Sequence, residues 1–525
     1  MNIRASWNLA AVLLLSALFS TSLFAQLSTT EIDQLVEEAM ETFKVAGVAL
    51  GVVKDGQVVH CRGYGQRSVD SGEPVDAQTA FAIASNSKAF TSCALALLVE
   101  EGKLSWTDRV IDHIPEFRMY NDYVTRNFNV QDLLTHRSGL GLGAGDLQKW
   151  PSGSDFSIED MLVNFQYFEP QSAFRTRYDY DNILYLVAGE LIKRLSGMPW
   201  EDFVRIRILE PLDMKHSYTL PPSLCGAENI AAAHLAREGR LRVIPYYEFD
   251  PEKINGAAGG VLSCAEDLCR WMLLHLNAGK YGSKLEKNLF SPESQREMWK
   301  IHTTIKVRPD DRYKTRFSGY GLGWRISDVL GLMTISHTGD LSGMLSKTYM
   351  IPDMNLGVVV LTNSYYGGAA LFKAVSQTIV DAYLGLEDAN WTEVYRVSEA
   401  QSSARSQAVV DAVWETVETG EHNYTPADFT GIYVDPWFGK VEVSLKNKQL
   451  WFRSLRSPKL NGPMYHYKAN SFAIKWLDRE MDADAFAIFS LDEEGRAVGL
   501  KMKGISPDID FSYDFQDLNF NRSKN

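Results

Sequence analysis

The chain has 525 residues, 45% hydrophobic and 23% charged, an ordinary globular composition with length for more than one domain and a substantial core. Its 53 Lys and Arg against 66 Asp and Glu leave a formal charge of −13. With no Lys/Arg cluster to override that balance, the electrostatic footprint of a nucleic-acid-binding protein is excluded, and a solvated acidic surface is expected.

At the N-terminus, Arg4 is the only charge before Glu31, and an apolar run extends from Leu9 through Leu15 to Phe19 and loosely to Phe24. Ala25 then offers a small residue before Gln26. This pattern predicts a cleaved secretory signal over 1–25 and an exported protein, periplasmic or secreted. An uncleaved anchor is the alternative, since the run approaches spanning length only when its Ser and Thr residues are included. No later stretch is long and apolar enough to cross a membrane. The five cysteines, Cys61, Cys93, Cys225, Cys264 and Cys269, are too few for a disulfide scaffold and lack redox or metal-finger spacing, so most read as buried thiols.

Residues 31–43 repeat Ile32, Leu35, Val36 and Met40 at helical spacing. A hairpin follows, with β-rich runs at 48–53 and 58–61 around Asp55-Gly56. A short buried stretch at 81–84 leads into Ser85 and an amphipathic helix carrying Phe90, Ala94, Leu97 and Leu98, closed by Gly102. Glycine-rich loops at 138–145 and 255–260 mark turns or places where backbone approaches a ligand. Strands are predicted at 332–336, 347–351 and 356–361. A polar helical connector is expected over 387–427. From 428 to 525 short β-runs at 431–434, 440–445, 449–453, 471–476, 485–491 and 497–503 alternate with turns, which suggests a small antiparallel barrel or sandwich without a catalytic motif.

The chemistry concentrates in Ser85-Asn86-Ser87-Lys88. A hydroxyl and an amine at i and i+3 leave one face of a helix within reach of each other. A serine needs a base to become a nucleophile, and a lysine serves when burial and neighbours lower its pKa. The helix N-terminus favours developing negative charge nearby. The same spacing also occurs by chance at surface helix starts. There is no HExxH run, and the ten histidines are scattered, so no metal or other cofactor is expected. The Gly-x-Ser-x-Gly elbow of α/β-hydrolases is also missing from the sequence.

The segment Ile83-Ala84-Ser85-Asn86-Ser87-Lys88-Ala89-Phe90-Thr91 resembles the active-site segment of serine β-lactamase-related hydrolases. Within these, the group similar to it comprises class C β-lactamases, D-Ala-D-Ala carboxypeptidases and CubicO-type peptidases and esterases. Further segments match in order: Leu133-Leu134-Thr135-His136-Arg137-Ser138-Gly139-Leu140, Tyr180 with Asn182, the loop from Gly256 to Gly260, Tyr320-Gly321-Leu322-Gly323-Trp324, and His337-Thr338-Gly339. The resemblance covers about 30–385. It implies an α/β (α+β) fold of the β-lactamase/transpeptidase type, with an antiparallel sheet flanked by helices over 26–386.

The resemblance further implies that Ser85 is acylated, that Lys88 and Tyr180 share the proton work, and that Asn182 orients Lys88 and a substrate amide. It places His337 and Thr338 along the pocket. Gly339 would let substrate lie on the strand edge, and the backbone N–H groups of Ser85 and Asp340 would form the oxyanion hole. Asp340 departs from carboxylate-recognising relatives, which often carry Ser or Thr there, and would repel a substrate's terminal carboxylate. The expected substrate is a small molecule or short peptide, D-amino-acid peptides included, with an ester or β-lactam as alternatives. A catalytically silent penicillin-recognising or cell-wall-binding protein is the alternative from another class. Phe429-Thr430-Gly431-Ile432-Tyr433 and the strand rhythm after it resemble the lipocalin-like β domain that follows some CubicO-type peptidases. That domain would cap the site, limit substrate size, mediate oligomers or serve only as passive support.

Overall fold

The computed structural model describes residues 27–237, 240–308, 310–341, 343–420 and 424–523. The predicted signal segment lies outside them. The first helix, α1 (Thr29–Phe43), begins at Ser28, whose Oγ accepts from the Glu31 N–H at 3.3 Å while the Glu31 carboxylate accepts from the Ser28 N–H at 2.7 Å. This reciprocal cap closes two of the helix's free amides and lets Ile32, Val36, Ala39 and Phe43 turn inward.

The hairpin β1 (Gly47–Lys54) and β2 (Gln57–Gly65) starts an eight-stranded antiparallel sheet. After a largely helical region that includes α2 (Ser87–Glu100), α3 (Ile183–Ser196) and α4 (Ala265–Leu276), the sheet continues through β3 (Thr303–Thr304), β4 (Ser318–Tyr320), β5 (Arg325–Val329), β6 (Leu332–Leu341), β7 (Met344–Ile351) and β8 (Leu356–Thr362). Its spatial order is β2-β1-β8-β7-β6-β5-β4-β3. Strands β1 and β8 are buried on both faces, so they read as continuous apolar runs rather than alternating ones. Val48, Leu50 and Val52 face α1 and the long helix α5 (Tyr365–Leu384), whereas Ala49 and Val53 join the core on the α4 side. Each such valine or leucine stabilises the fold by roughly 1.5–3 kcal/mol.

Helix α2 departs from the amphipathic expectation, because every residue from Ser87 to Leu98 is buried. It is walled in by α3, by the helices Trp200–Val204 and Pro292–Met298, and by a stacked contact of Phe90 on Trp271 of α4 at 4.1 Å. The Ser85–Lys88 end of the helix is thereby held inside the molecule.

The polar stretch after the sheet forms one helix, α6 (Trp391–Thr419), which packs on α5. Then comes a closed eight-stranded barrel: β9 (Gly431–Asp435), β10 (Gly439–Lys446), β11 (Gln449–Ser454), β12 (Asn461–Lys468), β13 (Ser471–Ile474), β14 (Ala485–Leu491), β15 (Ala497–Gly504) and β16 (Asn519–Arg522). Sequence alternation misses β12 and β16. Pro463 sits within β12 opposite Trp451, where it costs a donor but still accepts from Lys475 N–H at 3.1 Å, and β16 inserts one buried side chain, Phe520. Phe429, Phe472 and Phe489 fill the barrel with edge-to-face contacts of 4.9–5.7 Å, a packed core. The barrel docks on the helical lobe through Arg456, which pairs with Asp155 and Asp160 at 2.6 Å each and lies 3.8 Å over the Phe156 ring. Among the described residues no helix is long and apolar enough to cross a membrane.

Gly51 permits the close approach of α4 to β1, since a Cβ there would meet Cys269 Sγ at 2.5 Å and Val359 Cγ1 at 3.0 Å. The substitution Gly51→Val is expected to destabilise the protein by about 1–3 kcal/mol, read as a lowered midpoint in thermal unfolding; an unchanged midpoint would show that α4 gives way freely.

Candidate active site

The strand pair Phe81–Ala82 with Leu262–Ser263 delivers the chain to a tight turn at Ala84–Asn86, directly before α2. Ala84 adopts φ +47°, an uncommon conformation for a residue with a side chain. Its surroundings hold it there. Ser346 of β7 donates to the Ile83 carbonyl at 2.7 Å and accepts from Asn86 Nδ2 at 2.8 Å, and Ser87 Oγ accepts from the Val261 N–H at 3.0 Å. Ser85 is left half-buried at the turn's apex.

Lys88 is fully buried, with Nζ 3.0 Å from Ser85 Oγ, 2.7 Å from Asn182 Oδ1 and 2.8 Å from the Ala258 carbonyl. The Tyr180 and Tyr185 rings lie 4.8 and 5.2 Å from the amine. Burial drives the Lys88 pKa well below its ordinary 10.5, and the charge of Lys149 adds to this, against a weaker pull from Asp146 and Asp181. The Ala258 carbonyl is fixed by its loop, where Thr91 Oγ1 donates to Ala257 O at 2.7 Å and Gly256 N–H donates to Glu201 at 2.8 Å. Asn182, at the start of α3, donates from Nδ2 to Asp146 Oδ2 at 2.8 Å, which orients its Oδ1 toward Lys88.

Around the pair lies a shell of aromatic and imidazole rings. The Tyr180 hydroxyl is buried without a hydrogen-bond partner among the described residues, and burial raises its pKa well above 10, offset in part by Ser85 beside it. His136, φ +53°, packs 4.1 Å from the Tyr180 ring and accepts at Nδ1 from the Asp181 N–H at 3.1 Å, which assigns its proton to Nε2. His337 lies with Nδ1 2.6 Å from the Thr338 carbonyl and Nε2 2.7 Å from the Tyr320 hydroxyl. A carbonyl only accepts, so Nδ1 carries the proton and Tyr320 donates to Nε2. Burial keeps His337 neutral, helped by the charge of Arg325.

Ser85, Tyr180, Asn182, His337, Thr338 and Asp340 line one cavity of about 410 Å³, and Lys88 sits behind Ser85. Strand β6 does not stop at Ser336, as the sequence suggests, but runs on to Leu341 along this cavity, while its pairing with β5 ends at Ser336. Residues 337–341 therefore offer an edge free of β5. Gly339 is the exception to its sequence-based role. Its missing Cβ faces the Ser85 turn, 2.1 Å from Ile83 O and 3.0 Å from Ala84 Cβ, so the glycine admits the turn against the strand rather than a ligand.

Sequence reading assigned no role to His136, Tyr320 or Asp146, although the first two stand in matched segments and the third follows the 138–145 glycine loop. It also missed the far wall of the cavity, where the barrel contributes Glu480, Asp482, Asp508 and Asp510 and α6 contributes Ser403 and Gln407. Nothing local marks those positions. Asp340 opens into the cavity yet is ringed by protein, and burial and the neighbouring Asp510 push its pKa up to about 7.

Asp146 is buried, with its pKa raised from 3.8 to about 7 by burial, against opposing contributions from Asn182 and Lys149. Between these values the native state holds more protons than the unfolded chain, so stability falls as pH rises through that window. Thermal midpoints across this range are expected to decline with pH, and less steeply in Asp146→Asn; an equal slope in both proteins would contradict the assignment.

The profile of the beta-lactamase family matches residues 32–378, and a domain of unknown function (DUF3471) matches residues 418–522. The unguisins hydrolase ungD of Aspergillus violaceofuscus is 27% identical over 440 residues, 79% of this chain and 76% of that one. Protein flp of Staphylococcus aureus strain MW2 is 25% identical over 352 residues, covering 64% and 63%. The octameric penicillin-binding protein homologue from Pyrococcus abyssi superposes with a TM-score of 0.58 at 22% identity, over 94% of this chain and all of that one, which shows a shared fold. With the family profile spanning well over half of its length, from α1 into α5, the chain belongs to the beta-lactamase family.

Proposed function

We propose that the protein is an exported serine hydrolase that works through an acyl-enzyme on Ser85, with Lys88 as the base. The observation that carries this reading is the set of partners around Lys88 Nζ. Two of them, Asn182 Oδ1 and Ala258 O, are carbonyls that only accept. A neutral amine has two N–H donors and one lone pair. With both donors committed to carbonyls, the lone pair faces Ser85 Oγ at 3.0 Å, where it takes the hydroxyl proton as the oxygen attacks. Tyr180, held neutral by burial, suits delivery of a proton to the leaving group better than its removal from Ser85. The backbone N–H groups of Ser85 and Asp340 are the proposed donors to the oxyanion, an interaction whose loss typically costs about 10²–10³ in rate.

The same site favours an amide or peptide with a cationic amino group over a substrate with a terminal carboxylate. Asp146, Asp340, Glu480, Asp482, Asp508 and Asp510 line the cavity against two cationic side chains, Lys149 and Arg325. Even with Asp340 and Asp510 sharing a proton, the pair carries negative charge near neutrality. The hydrolase named among the relatives supports the reaction class, and the free edge of β6 suits an extended peptide backbone.

A fluorophosphonate is expected to label Ser85 in the wild type, to leave Ser85→Ala unlabelled, and to label Lys88→Met about 10²–10⁴-fold more slowly. The labelling rate should plateau well below the pH at which an ordinary lysine titrates, because loss of the Lys88 proton switches the base on. Absence of label together with absence of hydrolysis would favour a silent binding protein. In a panel of D-amino-acid peptides, short-chain esters and a chromogenic cephalosporin, substrates with a free amino group and an amidated C-terminus should turn over fastest. Fastest turnover of the N-acylated free acid would overturn the amine preference.

A further inference from the structure

We infer that Asp514, in the C-terminal barrel domain, is a positioning residue for the Ser85–Lys88 pair; this rests on the Ser85 reading above. Asp514 lies between β15 and β16 and is fully buried. Its two oxygens are divided between two backbone amides of the other domain: Oδ2 accepts from the Gly145 N–H and Oδ1 from the Leu147 N–H, both at 2.8 Å. The residue between those amides is Asp146. Asp146 in turn accepts from Asn182, and Asn182 accepts from Lys88 Nζ. Hydrogen bonds, joined by the backbone at Asp146, thus connect the barrel to the amine beside Ser85.

Two further contacts place the same loop and the same barrel segment on Tyr180. The Gly143 N–H donates to the Tyr180 carbonyl at 2.8 Å, and the Phe511 ring meets the Tyr180 ring edge-on with centroids 5.7 Å apart. Movement of 143–147 therefore shifts both Tyr180 and Asn182. Docking alone does not call for a carboxyl group at 514. The group is buried close to Asp146 and Asp517, whose charges oppose its ionisation, and no cation pairs with it among the described residues. An apolar side chain would fill the same space but leave the Gly145 and Leu147 amides without an acceptor. What the carboxyl group supplies is a fixed position for the backbone on both sides of Asp146.

Full-length Asp514→Asn, which keeps the shape but at most one acceptor, tests this. Fluorophosphonate labelling of Ser85 and hydrolysis of p-nitrophenyl acetate are measured beside hydrogen exchange of 141–148. The expected result is faster exchange at Gly145 and Leu147, labelling and kcat lower by about 10–100-fold, the size of effect that an ångström of misplacement produces, and KM within threefold. Asp514→Glu, which keeps the carboxyl group but moves it by a methylene, replaces Asp514→Asn if the latter does not fold, with the same expectation. Labelling and kcat within twofold of wild type in a folded variant would overturn the inference, whether or not its thermal midpoint has dropped, and so would a rise in KM with kcat unchanged. A wild type that takes no label would remove the Ser85 reading and this inference with it, whereas a labelled wild type with unaffected variants removes this inference alone.

Discussion

Placing a lysine amine where water does not reach it costs several kcal/mol if it stays charged. Lys88 is placed that way, on a helix buried on every side and between two tyrosine rings. Much of the surrounding structure follows from that one burial. The loop at 256–260 exists in its observed form to present the Ala258 carbonyl, and the start of α3 presents the Asn182 amide. Neither acceptor is a carboxylate, so the amine is hydrogen-bonded without being held in its charged form. A direct ion pair at the same place would raise the pKa and leave no lone pair for Ser85.

The carboxyl groups are kept one residue further back. Asp146 reaches Lys88 by hydrogen bonds through Asn182, and Asp514 holds the backbone amides on both sides of Asp146. Behind them Asp517 and Asp435 extend the row toward the barrel, with Asp435 accepting from the Trp437, Phe438 and Asn519 amides at 2.9 Å. Burial raises every member of this row. Such an arrangement is unfavourable in isolation and persists because two domains are packed around it, with Arg456 and its two aspartates sealing the interface from outside. The barrel, whose own interior is filled by aromatic rings, contributes to the site from its outer surface and from the segment 506–514.

The conversion of sequence into site was most direct where chemistry is local. Ser85 and Lys88 are three residues apart, and helical geometry alone brings their side chains together. Tyr180 and Asn182 could be placed because they lie within a matched segment, and six of the eight barrel strands because alternation and turns are properties of a few adjacent residues. His337 lines the cavity with both ring nitrogens engaged. Thr338 and Tyr320 hold its ring in one orientation, a detail of packing that the matched segment does not contain.

By itself, then, the sequence determined the pairing of Ser85 with the Lys88 amine, the family and its sheet-and-helix fold, and a β-rich module after residue 428, because each of these is written in short-range spacing. Tertiary structure alone decided that Gly339 serves the Ser85 turn, that α2 is buried all round, and that the acidic far wall of the cavity comes from the barrel. It also decided the contact of Asp514 with Gly145 and Leu147. The reason is physical: these features depend on which atoms face each other across distant stretches of chain, and a buried carboxyl group looks the same in sequence as a solvated one until packing removes the water.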